Sequence, residues 1–565
     1  MAIKNFLQTK GLWLILVLFF SAGVAGIFYD FGVNTVGDEL PLMTTALKMI
    51  SDRTLIPDYP TFYHVPLAVY FYLPFFVLFL LFLRFSGAFT SLEAIKEFGL
   101  LNFNEFLPFA RLLTVLMGVF SIYLLYKISE KLFNNRVISL LASFLLSSSL
   151  MFVQMSHFAR VWIPQLMAVL IAFYFITVLY QKEKGKIKDY ILIGLGVGLA
   201  FGTHAIGVLI YFPFLIVHYL KNKGRKLKDI FLTDKNFWLV NFIFIFFYFL
   251  VSFLNPRGFK NYISSDGFFP SFNTMFGSSS SGGNILNSLG DYGYYFGVLI
   301  KYEPILILFS LFGFGILFFK ERKKFCFIGS FVLVYYVIIN LTGLVPRYIL
   351  PVIPFLSLAA GYGLFYLYKK IETKINKRVA LILVFLVLAV NSILLLLWDY
   401  RLAQPSTITA ARSWIYDNIP SGEKIINFDN LLEINENKQA IEDIKNSTAQ
   451  FTKKRAYLLS LDETDYPKPN YYMYYYAYDQ TASKELLNKK YDYLIVGWWD
   501  RSDFEQKMAR LKKLNLKQNF ALVKTFPEGA NENNWSTSLA DLENPIYELF
   551  KLKQTGPTVY IYKTK

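Results

Sequence analysis

The chain is poor in the residues that usually announce chemistry. It has one cysteine, Cys326, which excludes an intrachain disulfide and any cysteine-based zinc site. It has only four histidines, His64, His157, His204 and His218. Charged residues make up 17% of the chain, against about 25% in soluble domains. Acids are scarcer than bases, with 40 Asp and Glu against 57 Lys and Arg. What is abundant is apolar: 55% hydrophobic and 19% aromatic residues, with a mean hydropathy of +0.39. Long apolar runs recur from Gly11 to Trp398, each near the roughly 20 residues needed to cross a bilayer. The composition predicts a polytopic α-helical membrane protein.

The net charge of +17 resembles a nucleic-acid signal, but its distribution points elsewhere. From Asp399 to Lys565 there are 23 Lys and Arg against 22 Asp and Glu, so +16 of the charge lies in residues 1–398. Basic loops between spans produce that pattern under the positive-inside rule. No nucleic-acid partner is expected. Lys4, Lys10 and the run Gly11–Ile27 read as an uncleaved signal-anchor, although Ser21-Ala-Gly23 keeps a weak signal-peptide reading open.

Twelve candidate apolar segments stand out: 11–30, 66–84, 108–126, 137–154, 164–180, 190–203, 204–220, 236–254, 296–319, 325–343, 348–367 and 379–398. The loops 127–136, 181–188, 221–235, 320–324 and 369–378, with Lys4 and Lys10, hold 24 Lys and Arg, and the opposite loops hold ten. All basic loops fall inside only if 66–84 does not cross alone, either as an interfacial or re-entrant segment or by returning through 88–104. The first is preferred, because 88–104 carries Glu93, Lys96, Glu97 and Asn104. The expectation is about eleven spans in residues 1–398, with the N-terminus cytoplasmic. The first outer loop, 31–107, then holds juxtamembrane helices. The fourth, 255–295, carries Gly277-Ser-Ser-Ser-Ser-Gly-Gly283, a flexible linker or a mobile lid.

Composition changes after Trp398. Helix-like Thr409–Asn418 ends at the turn signal Pro420-Ser-Gly422. Short apolar or β-rich runs follow at Lys424–Phe428, Arg455–Ser460, Tyr491–Val496, Ala521–Phe526 and Thr558–Tyr562, with an amphipathic helix over Glu505–Leu516. Strands alternating with helical stretches predict an extracytoplasmic α/β domain over 399–565. No Gly-rich phosphate loop, nucleophile elbow or metal-ligand spacing occurs in it. The tyrosines of 471–478 read either as a sugar-stacking surface or as packing.

Four features converge on the outer face. They are the acidic pair Asp38-Glu39; His64-Val-Pro66-Leu67; Ser156-His157-Phe-Ala-Arg160 with Trp162 and Pro164; and Arg347-Tyr348 with Pro351 and Pro354. His204 and Lys301 join them. A carboxylate suits a general base toward a hydroxyl or amine acceptor. Arginine, histidine and lysine suit the phosphate of a leaving group, where negative charge develops. Read singly, each has a plain alternative. Acids favour helix starts, Arg347 could anchor at the interface, and His204 could be a packing histidine.

In order and context these motifs resemble the GT-C glycosyltransferases of the protein O-mannosyltransferase and aminoarabinose-transferase type, over residues 1–420. Asp38-Glu39 resembles the family's Asp-Glu motif after the first span. His64-Val-Pro66-Leu67 resembles its His/Lys-Pro-Pro-Leu motif, with Val65 in place of the first proline. Phe158-Ala-Arg160 resembles the small-residue-Arg motif of the second outer loop. The acid that often follows that arginine by four or five residues is replaced by Pro164-Gln165. The glycine-rich stretch from Gly194 to Thr203 resembles a helix that usually ends Thr-Lys, and here His204 takes the lysine's place. Arg347-Tyr-Ile-Leu-Pro-Val-Ile-Pro354 resembles a late Arg-Tyr-x-x-Pro-x-x-Pro motif, and Trp414 to Gly422 the stretch opening the outer domain.

The resemblance implies a GT-C fold and an inverting transferase that moves a sugar from a polyprenyl-phosphate donor to a lipid, glycan or protein acceptor. It implies a plasma-membrane setting with the C-terminal domain extracytoplasmic. Asp38 would be the base, and Glu39 would orient the acceptor or a cation. Arg347, Arg160, His64, Lys301 and His204 would hold the donor phosphate, with Tyr348 and Trp162 against acceptor or sugar. No cofactor is predicted; the carboxylates are few and clustered, and a divalent metal is left open. The rival readings are a transporter or flippase for a lipid-linked sugar, and a non-catalytic assembly factor displaying 399–565. One-sided clustering of ionisable groups and the absence of a clear internal repeat weigh against transport. Retention of the acidic pair weighs against an inactive homologue.

Overall fold

A computed structural model describes residues 2–57, 67–254, 293–340, 344–428, 432–447, 451–476, 489–514, 520–531 and 542–565. The Gly/Ser run 277–283 and His64 lie outside them. The chain divides into two compact units. The first takes in Met1–Ile27, Glu39–Leu81 and Phe109–Leu397. The second takes in Trp398–Lys565 and also two early segments, Phe28–Asp38 and Phe82–Pro108.

The first unit is helical. The leading helices of the chain are α1 (Ala2–Gly26), α2 (Leu40–Ser51), α3 (Leu67–Tyr70), α4 (Leu73–Phe85), α5 (Leu92–Leu101), α6 (Leu107–Phe133), α7 (Arg136–Ser147), α8 (Leu150–Ser156), α9 (Trp162–Gln181), α10 (Ile187–Thr203), α11 (Tyr211–Lys221), α12 (Leu227–Phe231) and α13 (Lys235–Phe253); of these α5 lies in the second unit, and the ends of α4 and α6 reach into it. After the undescribed stretch come Tyr294–Tyr302, Pro304–Lys320, Arg322–Ile339, Ile353–Glu372 and Lys377–Leu402. The described residues of each of the twelve apolar segments fall mostly on a helix or a helix pair.

Among the described residues, four helical stretches are long and apolar enough to cross a membrane: Phe103–Phe133, Trp162–Gln181, Pro346–Glu372 and Lys377–Asn418. There are up to six if each of two bent pairs is one span. The expected segment 66–84 holds only the short α3 and the 13-residue α4, about 20 Å of helix.

Two expected continuous spans are broken, each for a local reason. α7 and α8 meet at 61°. Ser149, at the break, turns its hydroxyl to accept from the Phe152 N–H and so starts a new helix. Tyr294–Tyr302 and Pro304–Lys320 meet at 114°, where Pro304 lacks the N–H needed to continue a helix but suits a first turn.

Helices that are apolar all round belong in a core, and α9 is buried along most of its length. The glycine-rich α10 packs between α9 and α13 because its glycines remove the side chains that would hold the backbones apart. A Cβ on Gly196 would stand 2.8 Å from Ala172 Cα of α9. Lys377–Leu402 is the opposite case: Leu381, Phe385, Ile393 and Leu396 are exposed.

The second unit is built on a five-stranded sheet, ordered β2-β1-β3-β5-β4. Its strands are β1 (Lys424–Asn427), β2 (Tyr472–Tyr475), β3 (Tyr493–Trp498), β4 (Phe520–Phe526) and β5 (Thr558–Thr564). β1 pairs in parallel with β2 and β3, and β5 runs antiparallel to β3 and β4. Successive side chains point to opposite faces, and both faces are covered. Ile425, Met473, Ile495 and Ile561 pack with Ile408, Ala411 and Ile415 of helix Thr407–Asn418. Ile426, Tyr474, Leu494 and Tyr560 pack with Phe504 and Leu511 of helix Arg501–Lys513.

The structure decides one open reading of this region and corrects another. Tyr472–Tyr475 is the buried strand β2, so those tyrosines pack instead of forming an open sugar platform. Aromatic residues fit a pleated buried surface. Arg455–Ser460 lies mostly in a helix, Lys453–Leu459, started by the Thr452 hydroxyl accepting from the Arg455 N–H. At the sheet edge, burial works to raise the Asp443 carboxyl, but hydrogen bonds from Lys489 and Tyr472 outweigh it and hold it below the usual range.

Candidate functional site

The acidic pair is split by its surroundings. Gly37–Glu39 forms a single 3₁₀ turn that runs into α2, with Pro41 in that helix's first turn. Glu39 is fully buried. Arg111, in the second turn of α6, donates from Nε to Glu39 Oε1 at 2.9 Å and from Nη2 to Oε2 at 2.6 Å. Its Nη1 donates to the Ile27 carbonyl at 3.2 Å. The Ala159 N–H gives Glu39 Oε1 a further hydrogen bond at 2.9 Å. This bidentate pair, fully shielded from water, ties the start of α2 to α6 and to the loop after α8. Asp38, one residue earlier, is half-exposed.

The loop that meets Glu39 carries Arg160. α8 delivers it, and Phe158 is buried between the motif's polar residues in sequence. The guanidinium carbons of Arg111 and Arg160 each stand 5.6 Å from the centre of the Phe158 ring, within cation–π range. Arg160 is buried, with Nη1 3.9 Å from Met155 Sδ. His157 Nδ1 lies 2.8 Å from the Val153 carbonyl, so that nitrogen carries the proton.

α8 is held at its other end by Glu303, a buried residue at the 114° bend. Glu303 Oε1 accepts from Ser149 Oγ at 2.6 Å and from the Met151 N–H at 3.0 Å. A carboxylate there satisfies donors that the start of a helix leaves without intrahelical partners.

A second cluster gathers three of the expected residues from distant parts of the chain. Trp162 opens α9, His204 ends α10 in extended backbone, and Tyr348 lies in the 3₁₀ stretch Pro346–Val352. The Trp162 ring centre is 5.0 Å from that of His204 and 4.9 Å from that of Tyr348. The Tyr335 hydroxyl donates to the Tyr348 carbonyl at 2.8 Å. Arg347, immediately before Tyr348, is half-buried. The three rings form one aromatic cluster, with Trp162 buried and Arg347 next to it in the chain.

Not every expected residue is gathered. Lys301, in the last turn of Tyr294–Tyr302, is exposed. His64 and the 277–283 run lie outside the described residues. Among the described residues, no three His, Cys, Asp or Glu side chains converge as a metal site would require. The expectation that Glu39 orients an acceptor or a cation meets an internal ion pair that engages both of its oxygens. Arg111 and Glu303 are the residues that sequence reading left out. The available signal was the same for both: an ionisable side chain inside an apolar stretch is costly unless it has a task.

Comparison with known proteins bears on this geometry. Residues 98–255, less than a third of the chain, match the family model described as dolichyl-phosphate-mannose-protein mannosyltransferase. No curated protein matches the chain. The crystal structure of ArnT from Cupriavidus metallidurans bound to undecaprenyl phosphate is similar over 98% of both chains, with 13% identity and a TM-score of 0.52. Against the apo state of that protein the match falls to 61% of its length, at a TM-score of 0.45. An oligosaccharyltransferase from Archaeoglobus fulgidus, tethered with an acceptor peptide, aligns over 94% of this chain and 75% of its own at 12% identity and a TM-score of 0.48, too loose to carry an argument. At such identities the ArnT likeness shows a shared fold. Family model and fold together place the resemblance in the GT-C superfamily of glycosyltransferases.

Proposed function

We propose, from this GT-C glycosyltransferase resemblance, that the chain is an inverting glycosyltransferase. It transfers a sugar from a polyprenyl-phosphate donor to a lipid, glycan or protein acceptor at the extracytoplasmic face of the plasma membrane. The observation that carries the reading is the division of labour in the acidic pair. Glu39 is fully buried and held by Arg111, while the adjacent Asp38 is partly exposed. Asp38 takes the proton from the acceptor hydroxyl or amine. The acceptor then attacks the anomeric carbon, the bond from that carbon to the phosphate oxygen breaks, and the polyprenyl phosphate leaves with the configuration inverted.

Cations are needed where the phosphate gains charge. Arg347, beside the Trp162–His204–Tyr348 cluster, is the leading candidate, followed by Arg160, His204 and His64. Lys301, exposed on its helix, has the least support. Glu39 acts as a positioning residue that fixes the turn bearing Asp38. Asp38→Asn should lower transfer from a polyprenyl-phosphate sugar by about 10²–10⁴-fold in membranes containing equal amounts of the protein. Transfer at the parental rate would remove Asp38 from this role.

A further inference from the structure

We infer that the second unit holds the loop bearing Asp38 in place, with Asp30 as the positioning residue. The inference rests on the proposed role of Asp38 as base. Phe28–Asp38 belongs to the same compact unit as Trp398–Lys565, and the contacts that join them are specific.

Asp30 is buried and sits at φ +49°, in the left-handed region that aspartate tolerates better than most side chains. Its Oδ1 accepts from the Ser406 N–H at 3.1 Å and from Thr409 Oγ1 at 2.7 Å. Its Oδ2 accepts from Thr35 Oγ1. Ser406 is the N-cap of helix Thr407–Asn418, and its own hydroxyl accepts from the Thr409 N–H. Asp30 therefore reaches across 376 residues to place a carboxylate at the positive end of a twelve-residue helix.

The neighbouring contacts point the same way. The Tyr29 hydroxyl donates to Thr555 Oγ1 at 2.9 Å. Arg412 Nη1 donates to the Gly32 carbonyl at 3.0 Å. Val33 packs into the core formed by Ile408, Ile415, Ile425 and Ile561. Asn34, Thr35 and Val36 are buried as well. The segment is thus fastened as far as Val33 and stays buried to Val36, two residues before Asp38, while Gly37 is exposed and Asp38 partly exposed. On this reading the 399–565 region is part of the machinery that aims the base, in addition to any contact with an acceptor. A misplacement of about 1 Å can cost about 10²-fold in rate, so a loosened loop should be felt at Asp38.

The test uses the full-length chain in detergent or reconstituted membranes. The probe is the radiolabelled lipid-linked sugar pool extracted from membranes of a strain lacking this chain. Asp30→Ala should speed amide hydrogen exchange over 33–39 and lower kcat about 10–100-fold, with KM for the lipid donor unchanged. Asp30→Asn keeps an acceptor for Ser406 and Thr409 and should restore most of the rate. Should Asp30→Ala fail to fold, Thr409→Val removes the other end of one bond and is expected to give the same kcat-only loss in milder form.

Parental kcat in an Asp30→Ala or Thr409→Val enzyme whose 33–39 segment exchanges faster would overturn the inference. So would unchanged exchange over 33–39. An active Asp38→Asn enzyme is a different result, because it removes the base assignment while leaving the exchange prediction standing.

Discussion

Arg111 and Glu39 show how one buried pair can decide the character of its neighbour. The two side chains are 1% and 0% exposed and 2.6 Å apart. Removing one partner of such a pair leaves an uncompensated buried charge, at a cost of about 3–5 kcal/mol. Arg111→Ala should therefore lower the stability of the folded chain by an amount in that range, read as a shift in thermal unfolding in detergent. Arg111→Lys should fall between, because an ammonium cannot reproduce the two parallel bonds of the guanidinium fork. The double variant Glu39→Gln with Arg111→Met should be less damaged than Arg111→Ala, since it buries no charge and keeps an oxygen for the Ala159 N–H. If the double variant were worse than the single, charge pairing would not be what holds this turn. At this scale the sequence exposes Asp38 and Glu39 as a pair, and only the family resemblance gives them different roles. The partner that separates them, Arg111, lies 72 positions away, and the sequence counts it only among the ten bases of the outer loops.

The elements that carry the candidate site are the irregular ones. Long apolar runs located the segments, because composition alone marks a helix that must be buried or face lipid. The breaks were harder to see, although the signs were present: three serines at 147–149 favour capping over a helix interior, and Glu303-Pro304 opens a new helix. What no local pattern encodes is that one break serves the other. Glu303 accepts from Ser149 and Met151, so the bend at one pair caps the helix of the second, and that short helix ends at the loop of Ala159 and Arg160. Glu303→Ala strips two buried donors of their acceptor and should cost about 1–3 kcal/mol. Glu303→Gln keeps an oxygen in place and should cost less than half of that, with thermal unfolding of the two variants as the measurement. If Arg160 contributes to donor binding, the alanine variant should also raise KM for the lipid donor. In the second unit the same limit appears in another form. β2 hid in a tyrosine run because buried aromatic strands and exposed aromatic surfaces have the same composition.

For the whole molecule, charge is distributed more informatively than residue type. Residues 399–565 are nearly neutral and the +16 of the remainder is concentrated in loops between apolar helices. That asymmetry was legible in the sequence, because an excess of lysine and arginine on one side is a property of the loops and needs no tertiary structure. The membership of Phe28–Asp38 and Phe82–Pro108 in the second unit was not legible, since it depends on contacts across hundreds of residues.

The charge asymmetry makes a direct prediction about orientation. The single cysteine, Cys326, is exposed, so a Cys326→Ser background gives a chain free of reactive thiols. Glu183 lies exposed in the basic loop 181–188, and Ser502 lies exposed in helix Arg501–Lys513. A membrane-impermeant maleimide should label Ser502→Cys in intact cells and Glu183→Cys only after the membrane is opened. The reverse pattern would put the sheet-bearing unit on the cytoplasmic side. The proposed base would then lie on the wrong side of the membrane for an extracytoplasmic reaction, because Asp38 is fastened to that unit through Asp30, Gly32 and Val33. Labelling of both positions in intact cells would equally defeat the assignment of 181–188 as an inside loop. Orientation and chemistry therefore stand on separate measurements, and the labelling decides where the reaction could occur before any donor or acceptor is known.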